Sequence, residues 1–484
     1  MTTIKLDPGA ALLLDALHGA GHAAYAVGGC VRDSLLGLAP HDWDLCTSAR
    51  PEQVMALFGE EKCIPTGLQH GTVTVKQGGR LYETTTFRTE GAYSDGRHPD
   101  AVCFVPDVRE DLARRDFTIN AMAYSAEEGL IDPFGGQDDL AAHLVRAVGE
   151  PERRFEEDAL RILRLYRFAA RFGFAIDPAT GAAARALGPH LDCVSAERIQ
   201  EELLKLLAAP RPGSYLEPAV LAVILPELEP EKQPEQFAEL CRTIDRIEPT
   251  AENVPARLAA LLCPLGEAGA RKALRKLKCS NALTDEVTAL EREAGGGAGS
   301  FLLPRSRDRW AGSSSEDRPL GWDPAAAGSR AGDGMACNSN DRRQWRMQEV
   351  AVGAAASDTQ AMRSGCWEPQ PELVSDQTLM AKRLLGRYEL PTIQRLTALC
   401  SARHPEQIGA FAALRAEAER LTVENACCRV SQLAVNGRDL MAAGVRPGPG
   451  LRQVLNALLE AVITGQTPNE KDALLAAAAQ FSAS

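Results

Sequence analysis

Residues 24–47 read AYAVGGCVRDSLLGLAPHDWDLCT, and this stretch decides the fold of the N-terminal part of the chain. The apolar run AYAV predicts a short strand that ends at Gly28 and Gly29. VRDSLLGL then predicts a helix, and DWDLCTS predicts a second strand. Glycine has no Cβ atom and a helix N-terminus has free N–H groups, so this turn suits a phosphate. Arg32, in the first helical turn, is placed to pair with that phosphate.

Two carboxylates follow at Asp42 and Asp44, with Trp43 between them. On a strand, residues two apart point to one face, so both carboxylates would face one side while Trp43 points to the core. Such a pair offers the oxygen ligands that suit Mg²⁺. A glycine turn or an Asp-x-Asp alone is commonly a solvated turn. Their union in one strand–turn–helix–strand unit predicts a two-metal nucleotidyl-transfer site, which activates an attacking hydroxyl and holds a triphosphate.

A second group of polar residues stands in RRDFTINA at 114–121. Two arginines precede an apolar periodic pattern, which predicts a helix. The functional interpretation directs Arg115 to the triphosphate. The alternative is a salt bridge at the helix N-terminus, with Asp116 as its cap or as a structural partner.

A third group repeats every three residues in EDALRILRLYRF at 157–168. Its members form a winding stripe on one predicted helix: Asp158, Arg161, Arg164 and Arg167. The remaining positions are strongly apolar, so we expect the helix to be buried on its other side. The alternative is a solvated face of salt bridges, which is the usual meaning of such charges.

Asp158 and Arg161 form an acceptor–donor pair that suits base recognition. Cytosine and adenine each present an exocyclic amine beside a ring nitrogen acceptor. A carboxylate accepts from the amine, and a guanidinium donates to the ring nitrogen. Guanine and uracil present a carbonyl and a ring N–H, which would leave buried polar groups unpaired. One such pair therefore predicts selection of C and A without a nucleic-acid template.

Four blocks occur in order along residues 10–210: GGCVRD with DWD, RRDFTINA, EDALRILRLYRF and SAERIQEELLKLL. Together they resemble the class II tRNA nucleotidyltransferase and bacterial poly(A) polymerase family. Residues 433–450, LAVNGRDLMAAGVRPGPG, resemble the tail of CCA-adding enzymes, so the chain is most similar to that branch. The resemblance implies a mixed α/β head with a polymerase-β-like sheet, followed by an all-helical neck, body and tail.

The resemblance also implies roles for residues of this chain. Asp42 and Asp44 would be the catalytic carboxylates and would bind Mg²⁺. Glu83 is a third acidic candidate, and an ordinary strand-edge charge is an equally open interpretation of it. The residues implied for nucleotide binding are Gly29, Arg32 and Arg115 at the triphosphate, and Asp158, Arg161, Arg164 and Arg167 at the base.

Within this family the resemblance favours addition of CCA to tRNA 3′ ends from CTP and ATP. Residues 197–203 keep the form ERIQEEL, from which poly(A) polymerases depart, and Glu197 and Arg198 would brace the neck helix. Residues 90–107 look like the intact flexible loop that enzymes adding only CC lack. The alternatives are an A-adding enzyme, a poly(A) polymerase and a non-catalytic RNA-binding relative.

The patterns divide the chain into five parts. They are a head at 1–136, a neck with the base-reading helix at 137–210, a body at 211–294, an anomalous segment at 295–376 and a tail at 377–484. The anomalous segment lacks helical periodicity and holds four of the five tryptophans. It is either a disordered insertion or a stretch read in a shifted frame, and its tryptophans favour the second interpretation.

The chain has 484 residues and a formal net charge of −12, so contact with RNA must use local basic patches. Two helices carry candidates: Arg271, Lys272, Arg275, Lys276 and Lys278 on one, and Lys382, Arg383 and Arg387 on the other. A solvated helix face is an equally open interpretation.

A membrane is not expected as a partner, since no apolar run reaches ~18 residues. DNA is not expected either, and the oligomeric state stays open. The thirteen cysteines form no CxxC pair, which favours reduced thiols and the cytoplasm.

Overall fold

The computed structural model describes residues 3–90, 102–295 and 374–481. The predicted anomalous segment at 295–376 lies outside the described residues, except for its two ends. Residues 91–101, the centre of the predicted flexible loop, also lie outside them.

The head is built on a mixed sheet of seven strands, which confirms the predicted fold class. Its strand order is β3-β4-β5-β2-β1-β8-β9, and β2 runs parallel to β5 while the other neighbours are antiparallel. The strands are β1 Ala24–Val27, β2 Leu45–Thr47, β3 Cys63–Gly67, β4 Thr72–Gln77, β5 Arg80–Thr86, β6 Arg88–Glu90, β7 Val102–Phe104, β8 Ala123–Ser125, β9 Gly129–Ile131, β10 Leu144–Val145 and β11 Ala175–Ile176.

Five helices accompany the head sheet: α1 Pro8–Gly19, α2 Gly29–Leu35, α3 Pro51–Phe58, α4 Val108–Ala113 and α5 Gly136–Ala141. The later helices are α6 Pro151–Glu157, α7 Leu160–Phe172, α8 Pro178–Ala186, α9 Ala196–Leu207, α10 Pro218–Ile224, α11 Pro234–Arg246, α12 Val254–Leu262, α13 Gly266–Lys276, α14 Asn281–Ala294, α15 Asp376–Arg387, α16 Leu390–Arg403, α17 Ile408–Val423, α18 Gly437–Ala442, α19 Pro449–Ile463 and α20 Lys471–Phe481. In the described part of the chain, no helix has both the length and the apolar character needed to cross a bilayer.

One departure from the predicted all-helical region is a pair of two-residue strands. β10 and β11 pair in parallel, with Leu144 opposite Ala175 and Val145 opposite Ile176. The segments are too short to carry a period-2 pattern in the sequence, and only their pairing makes them strands. The prediction of neck helices alone was wrong at this point.

The glycine turn lies where the sequence predicts it, between β1 and α2. The sequence predicted Asp42 and Asp44 on a strand. That prediction was wrong, because both residues lie directly before β2. The ladder with β1 begins only at Asp44, whose carbonyl accepts from the N–H of Val27 at 2.9 Å. Trp43 is buried, as its predicted orientation requires.

Two further predicted helix positions were wrong. Residues 116–121 form no α-helix, but a 3₁₀ turn at Thr118–Asn120, because the Asp116 carboxylate accepts from the Phe117 N–H at 2.8 Å and from the Asn120 amide at 3.0 Å. Asp158 lies between α6 and α7 in an extended conformation, with φ −149°. Its carboxylate accepts from the N–H of Leu160, the first residue of α7, so Asp158 precedes that helix and is not part of its stripe.

Arg257 on α12 joins the ends of two other helices, although it is completely buried. It donates hydrogen bonds to the carbonyls of Leu207 at 2.6 Å and Ala209 at 2.5 Å, at the C-terminus of α9. It also donates to the carbonyl of Ile247, which follows α11, at 2.6 and 3.1 Å. Carbonyls at helix ends lack partners within their own helix, so one guanidinium satisfies several of them at once.

Glu291 on α14 is a second buried charge, and its Oε1 atom has no hydrogen-bond partner among the residues that the structure describes. Burial raises the pKa of Glu291 to about 7, and the positive charge of Arg403 offsets this only in part. The folded protein therefore binds this proton more tightly than the unfolded chain, whose glutamate pKa is ~4.3. Stability is expected to fall as the pH rises between those two pKa values, and to stay reduced above them.

We expect Glu291→Gln to stabilise the protein at pH 8 by up to about 3 kcal/mol and to have little effect at pH 4, because the amide carries no charge to bury. Thermal unfolding at both pH values measures the difference. Asp285→Asn, on the same helix but with an exposed side chain, serves as the control and should change neither midpoint by much. Equal effects of Glu291→Gln at the two pH values would contradict the assigned pKa.

Candidate active site

The glycine turn brings Arg115 against the start of α2. Gly28 has φ +78°, and a Cβ atom there would lie 2.8 Å from a terminal nitrogen of Arg115. The left-handed φ favours glycine, and a side chain at this position would also displace the Arg115 guanidinium. Arg115 also contacts the buried carboxylate of Asp111 at 3.4 Å, and its buried Nε atom has no hydrogen-bond partner within the described ranges. The structure therefore places a guanidinium beside free N–H groups at a helix N-terminus, which is an arrangement that suits an anion.

Asp44 lies at the edge of the same turn and close to Glu83. β2 runs beside β5 with Leu45 opposite Thr84, so the preceding residues of the two strands are also neighbours. Burial raises the pKa of Asp44 to about 6, helped by the negative charges of Glu83 and Asp42, while Arg115 opposes the shift. Asp44 is nevertheless exposed to solvent, so a ligand can reach its carboxylate.

The chemistry of these carboxylates fits a divalent cation. A carboxylate whose pKa is raised by neighbouring negative charges, as that of Asp44 is, is stabilised in its charged form when a cation lies beside it. In the ranges that the structure describes, no three or more His, Cys, Asp or Glu side chains are arranged to hold a metal ion by themselves. Asp42 and Asp44 thus offer part of a coordination shell, and Mg²⁺ usually completes such a shell with water and substrate phosphates.

Arg32, predicted to contact the triphosphate, is buried between the head and α7. Its Nε and Nη2 atoms lie 2.8 and 2.7 Å from Oδ1 of Asp33, and Nη1 donates to Asn120. The guanidinium also lies over the rings of Phe168 and Phe172, 5.2 and 4.9 Å from their centroids. In this arrangement Arg32 connects α2 to α7, and its contact with a triphosphate stays a prediction.

Gly29 begins α2 next to that guanidinium. A Cβ atom at Gly29 would lie 3.6 Å from Nη2 of Arg32, which is ordinary contact. Unlike Gly28, Gly29 is therefore not required by the contacts among the described residues. Its predicted role is to leave its N–H group open to a phosphate, and this role stays a prediction.

The N–H group of Arg161 donates to the backbone carbonyl of Asp158 at 3.0 Å, but the two side chains do not bond to each other. Asp158 accepts from Arg198 at 2.7 Å through Oδ2 and from the Leu160 N–H at 3.1 Å through Oδ1. Arg161 donates to Oε2 of Glu157 at 2.7 Å. Its terminal nitrogens also donate to the carbonyls of residues 154 and 114, both at 3.0 Å. The predicted base-reading groups are thus each held by separate partners.

Arg164 and Arg167 belong to a charge network that joins the head to α9. Arg164 donates two hydrogen bonds to Oδ2 of Asp116, at 2.6 and 2.9 Å. Although burial opposes it, Arg164 and the amide of Asn120 hold the pKa of Asp116 well below its usual range. Arg167 lies 2.5 Å from the buried carboxylate of Glu202. Asp116 therefore acts as the structural partner that the sequence indicated, and these salt bridges are largely buried and not on a solvated face.

Sequence reasoning missed the partners of the arginines on α7. They are Asp33 for Arg171, Glu157 for Arg161, and Glu202 for Arg167. A signal did exist, because buried arginines on a mostly apolar helix need acidic partners. Glu157 stands four residues before Arg161, which is helix-pair spacing, whereas no spacing rule identifies Asp33 or Glu202 as partners.

The predicted basic cluster on α13 is only partly available for RNA. Arg271 contacts Asp285 at 3.0 Å, and Lys278 contacts Glu197 at 2.6 Å. Lys272, Arg275 and Lys276 are exposed, and no ion pair joins them to another of the described residues. In the second cluster Arg383 contacts Glu460 at 2.5 Å, Arg387 contacts Glu293 at 3.6 Å, and Lys382 donates to a backbone carbonyl.

Family models match three parts of the chain. The model described as a Poly A polymerase head domain matches residues 24–146. The model described as a probable RNA and SrmB-binding site of polymerase A matches residues 173–232. A third, described as putative tRNA nucleotidyltransferase domain 2, matches residues 381–478.

Individual proteins resemble the chain over nearly all of its length. The CCA-adding enzyme of Limosilactobacillus fermentum is 33% identical over 478 residues, which cover 97% of this chain and 96% of that enzyme. The CCA-adding enzyme of Levilactobacillus brevis is 33% identical over 470 residues, covering 96% of each chain. The crystal structure of the Bacillus stearothermophilus CCA-adding enzyme in complex with CTP is 30% identical, covers 98% of both chains and superposes with a TM-score of 0.69. A Thermotoga maritima CCA-adding enzyme complexed with tRNA shares the fold, with a TM-score of 0.60 at 20% identity over 98% of this chain and 96% of that one.

Proposed function

This chain belongs to the CCA-adding enzymes, a family of tRNA nucleotidyltransferases, and on that premise we propose that it completes tRNA 3′ ends with CCA from CTP and ATP. The resemblance that the four sequence motifs predicted is thereby confirmed, as is the enzyme class. The finer points that follow, namely ATP, Mg²⁺, a two-metal mechanism and the role of each residue, are parts of the proposal. So are the five-part division of the chain and its place in the cytoplasm.

One observation carries the proposal: the carboxylate of Asp44 lies near Arg115, which meets the N-terminus of α2 at the glycine turn, and Asp42 lies close enough to Asp44 to raise its pKa. Two divalent metal ions, Mg²⁺ in this proposal, would supply activation of the 3′ hydroxyl and neutralisation of the triphosphate and leaving pyrophosphate. Asp42 and Asp44 would hold those ions on one side of the site. Arg115 and the N–H groups of α2 bind the phosphate oxygens on the other. The chain thereby orients the α-phosphate in line with the tRNA hydroxyl.

Base selection is assigned to Asp158 and Arg161. The carboxylate accepts from the exocyclic amine of cytosine or adenine, and the guanidinium donates to the ring nitrogen. Each side chain has other partners in the structure, so a base must share or replace some of those contacts. Uracil and guanine would leave the pair unmatched, and this mismatch is the proposed source of selectivity.

A nucleotide-incorporation assay tests the proposed function. We expect a tRNA that ends at its discriminator base to gain cytidine with labelled CTP alone, and the full CCA only when CTP and ATP are both present. Adenosine added to that tRNA from ATP alone, in long runs, would favour a poly(A) polymerase. Addition of adenosine only to tRNA that already ends in CC would favour an A-adding enzyme. RNA binding without any incorporation would favour the non-catalytic relative.

We also expect the exposed part of α13 to bind tRNA phosphates. Lys272→Glu, Arg275→Glu and Lys276→Glu together should weaken tRNA binding at least about tenfold and reduce its dependence on salt concentration, because fewer counterions are released on binding. A filter-binding series at several salt concentrations measures both effects. Lys232→Glu, on an exposed lysine outside the two clusters, is the control. Unchanged tRNA binding by the triple variant would show that α13 is not part of the tRNA interface.

A further inference from the structure

Arg198 is the residue whose contact controls the proposed base-reading carboxylate. It lies in the first turn of α9, and its Nη2 atom donates to Oδ2 of Asp158 at 2.7 Å. The other oxygen of Asp158, Oδ1, accepts from the backbone N–H of Leu160 at 3.1 Å. One oxygen is therefore tied to α9 and the other to the start of α7. Two attachments at different oxygens fix the plane of the carboxylate.

The surroundings make this contact strong and directional. The side chains of Asp158 and Arg198 are only 16% and 21% exposed, so water competes little with their hydrogen bond. Hydrogen bonds between a guanidinium and a carboxylate are short and set the angle between the two planar groups. The direction of the carboxylate lone pairs decides which edge of a base can donate to them.

We propose that Arg198 is a positioning residue that orients Asp158 for base selection, an inference that rests on the proposed role of Asp158. With Arg198 in place, the carboxylate meets the exocyclic amine of cytosine or adenine. Without Arg198, the carboxylate turns about its own bond to Cβ and accepts from the ring N–H of uracil as well. Removal of Arg198 then lowers selectivity without removing any group that contacts the nucleotide.

The neighbouring residue offers a matched control. Glu197 lies in the same turn of α9, and its Oε1 atom accepts from Lys278 at 2.6 Å. Glu197→Gln therefore weakens an ion pair of the same helix turn without touching Asp158. A purely structural role of this turn predicts similar effects of Glu197→Gln and Arg198→Met, whereas a positioning role predicts an effect on selectivity for Arg198→Met alone.

The experiment compares kcat/KM for CTP and UTP on a tRNA that ends at its discriminator base. We expect Arg198→Met to lower the CTP to UTP ratio about tenfold, chiefly through a higher KM for CTP. Arg198→Lys, which keeps the charge but not the planar fork, should recover part of the ratio. Glu197→Gln should keep the ratio of the parent. Adding Arg198→Met to Asp158→Asn should not lower the ratio further, because Arg198 acts through Asp158.

The outcomes separate this inference from the proposed function. A parental ratio in Arg198→Met, with a lowered ratio in Asp158→Asn, overturns the role of Arg198 alone. A parental ratio in Asp158→Asn overturns the assignment of base reading itself. A loss of thermal stability in Arg198→Met with no change in the ratio identifies a structural role and also overturns the inference. Should Arg198→Met not fold, the ratio for Arg198→Lys decides, and a parental value there counts against it.

Discussion

Asp44→Asn is expected to slow nucleotide incorporation by about a thousandfold or more while tRNA binding stays at the parental level. Asparagine keeps the shape of the side chain but removes the charge that would hold a metal ion in the proposed mechanism. A divalent cation supplies several kcal/mol of transition-state stabilisation, and each 1.36 kcal/mol is a factor of ten in rate. Single-turnover incorporation of CTP measures the rate, and filter binding measures the affinity for tRNA.

A matched variant separates the loss of a ligand from the loss of a charge. Glu127→Gln removes one negative charge from the head at an exposed position whose contact is His18. It is expected to leave the rate unchanged. Asp42→Asn should follow Asp44→Asn if the two carboxylates act as a pair. A rate above a tenth of the parental rate in Asp44→Asn would contradict the catalytic role of Asp44.

The residues of the glycine turn were predictable because their structure is local. A short apolar strand, two glycines and an amphipathic helix specify β1, the turn and α2 without help from the rest of the chain. The sequence predicted Asp42 and Asp44 on the strand β2, but both residues precede it. The strand begins only where its hydrogen bonds to β1 begin. The hydrogen bond from Val27 to the carbonyl of Asp44 sets that point, and no residue of the DWD motif encodes it.

The contacts between distant elements were not predictable from spacing. Arg115 approaches Gly28 across 87 positions of sequence, and a motif gives only the residue types at each end. Asp116 was indicated as a structural partner, but the identity of Arg164 as the group it accepts from depends on how α7 packs on the head. Tertiary packing thus decides which charged residues face a substrate and which hold the fold together.

The stabilising role of Arg257 was also not predictable from the sequence, which shows only a charged residue in an apolar helix. We expect Arg257→Met to lower the free energy of unfolding by about 3–5 kcal/mol. Methionine fills much of the space, but the carbonyls of Leu207, Ala209 and Ile247 lose their donor, and each buried polar group without a partner costs ~1–3 kcal/mol. The expected fall in the thermal midpoint is roughly 5–10 °C.

Arg246→Met is the matched control, because Arg246 lies near by on α11 and also donates to a carbonyl, that of Ala402 at 3.2 Å. Arg246 is 38% exposed, so water can replace its contacts and the loss should be below ~1 kcal/mol. Arg257→Lys keeps the charge with a single donor centre and should fall between the two. A midpoint for Arg257→Met within 2 °C of the control, roughly the effect of 1 kcal/mol at most, would show that other groups or water satisfy these carbonyls. Arg257 would then be a tolerated buried charge and would not be what joins the ends of α9 and α11.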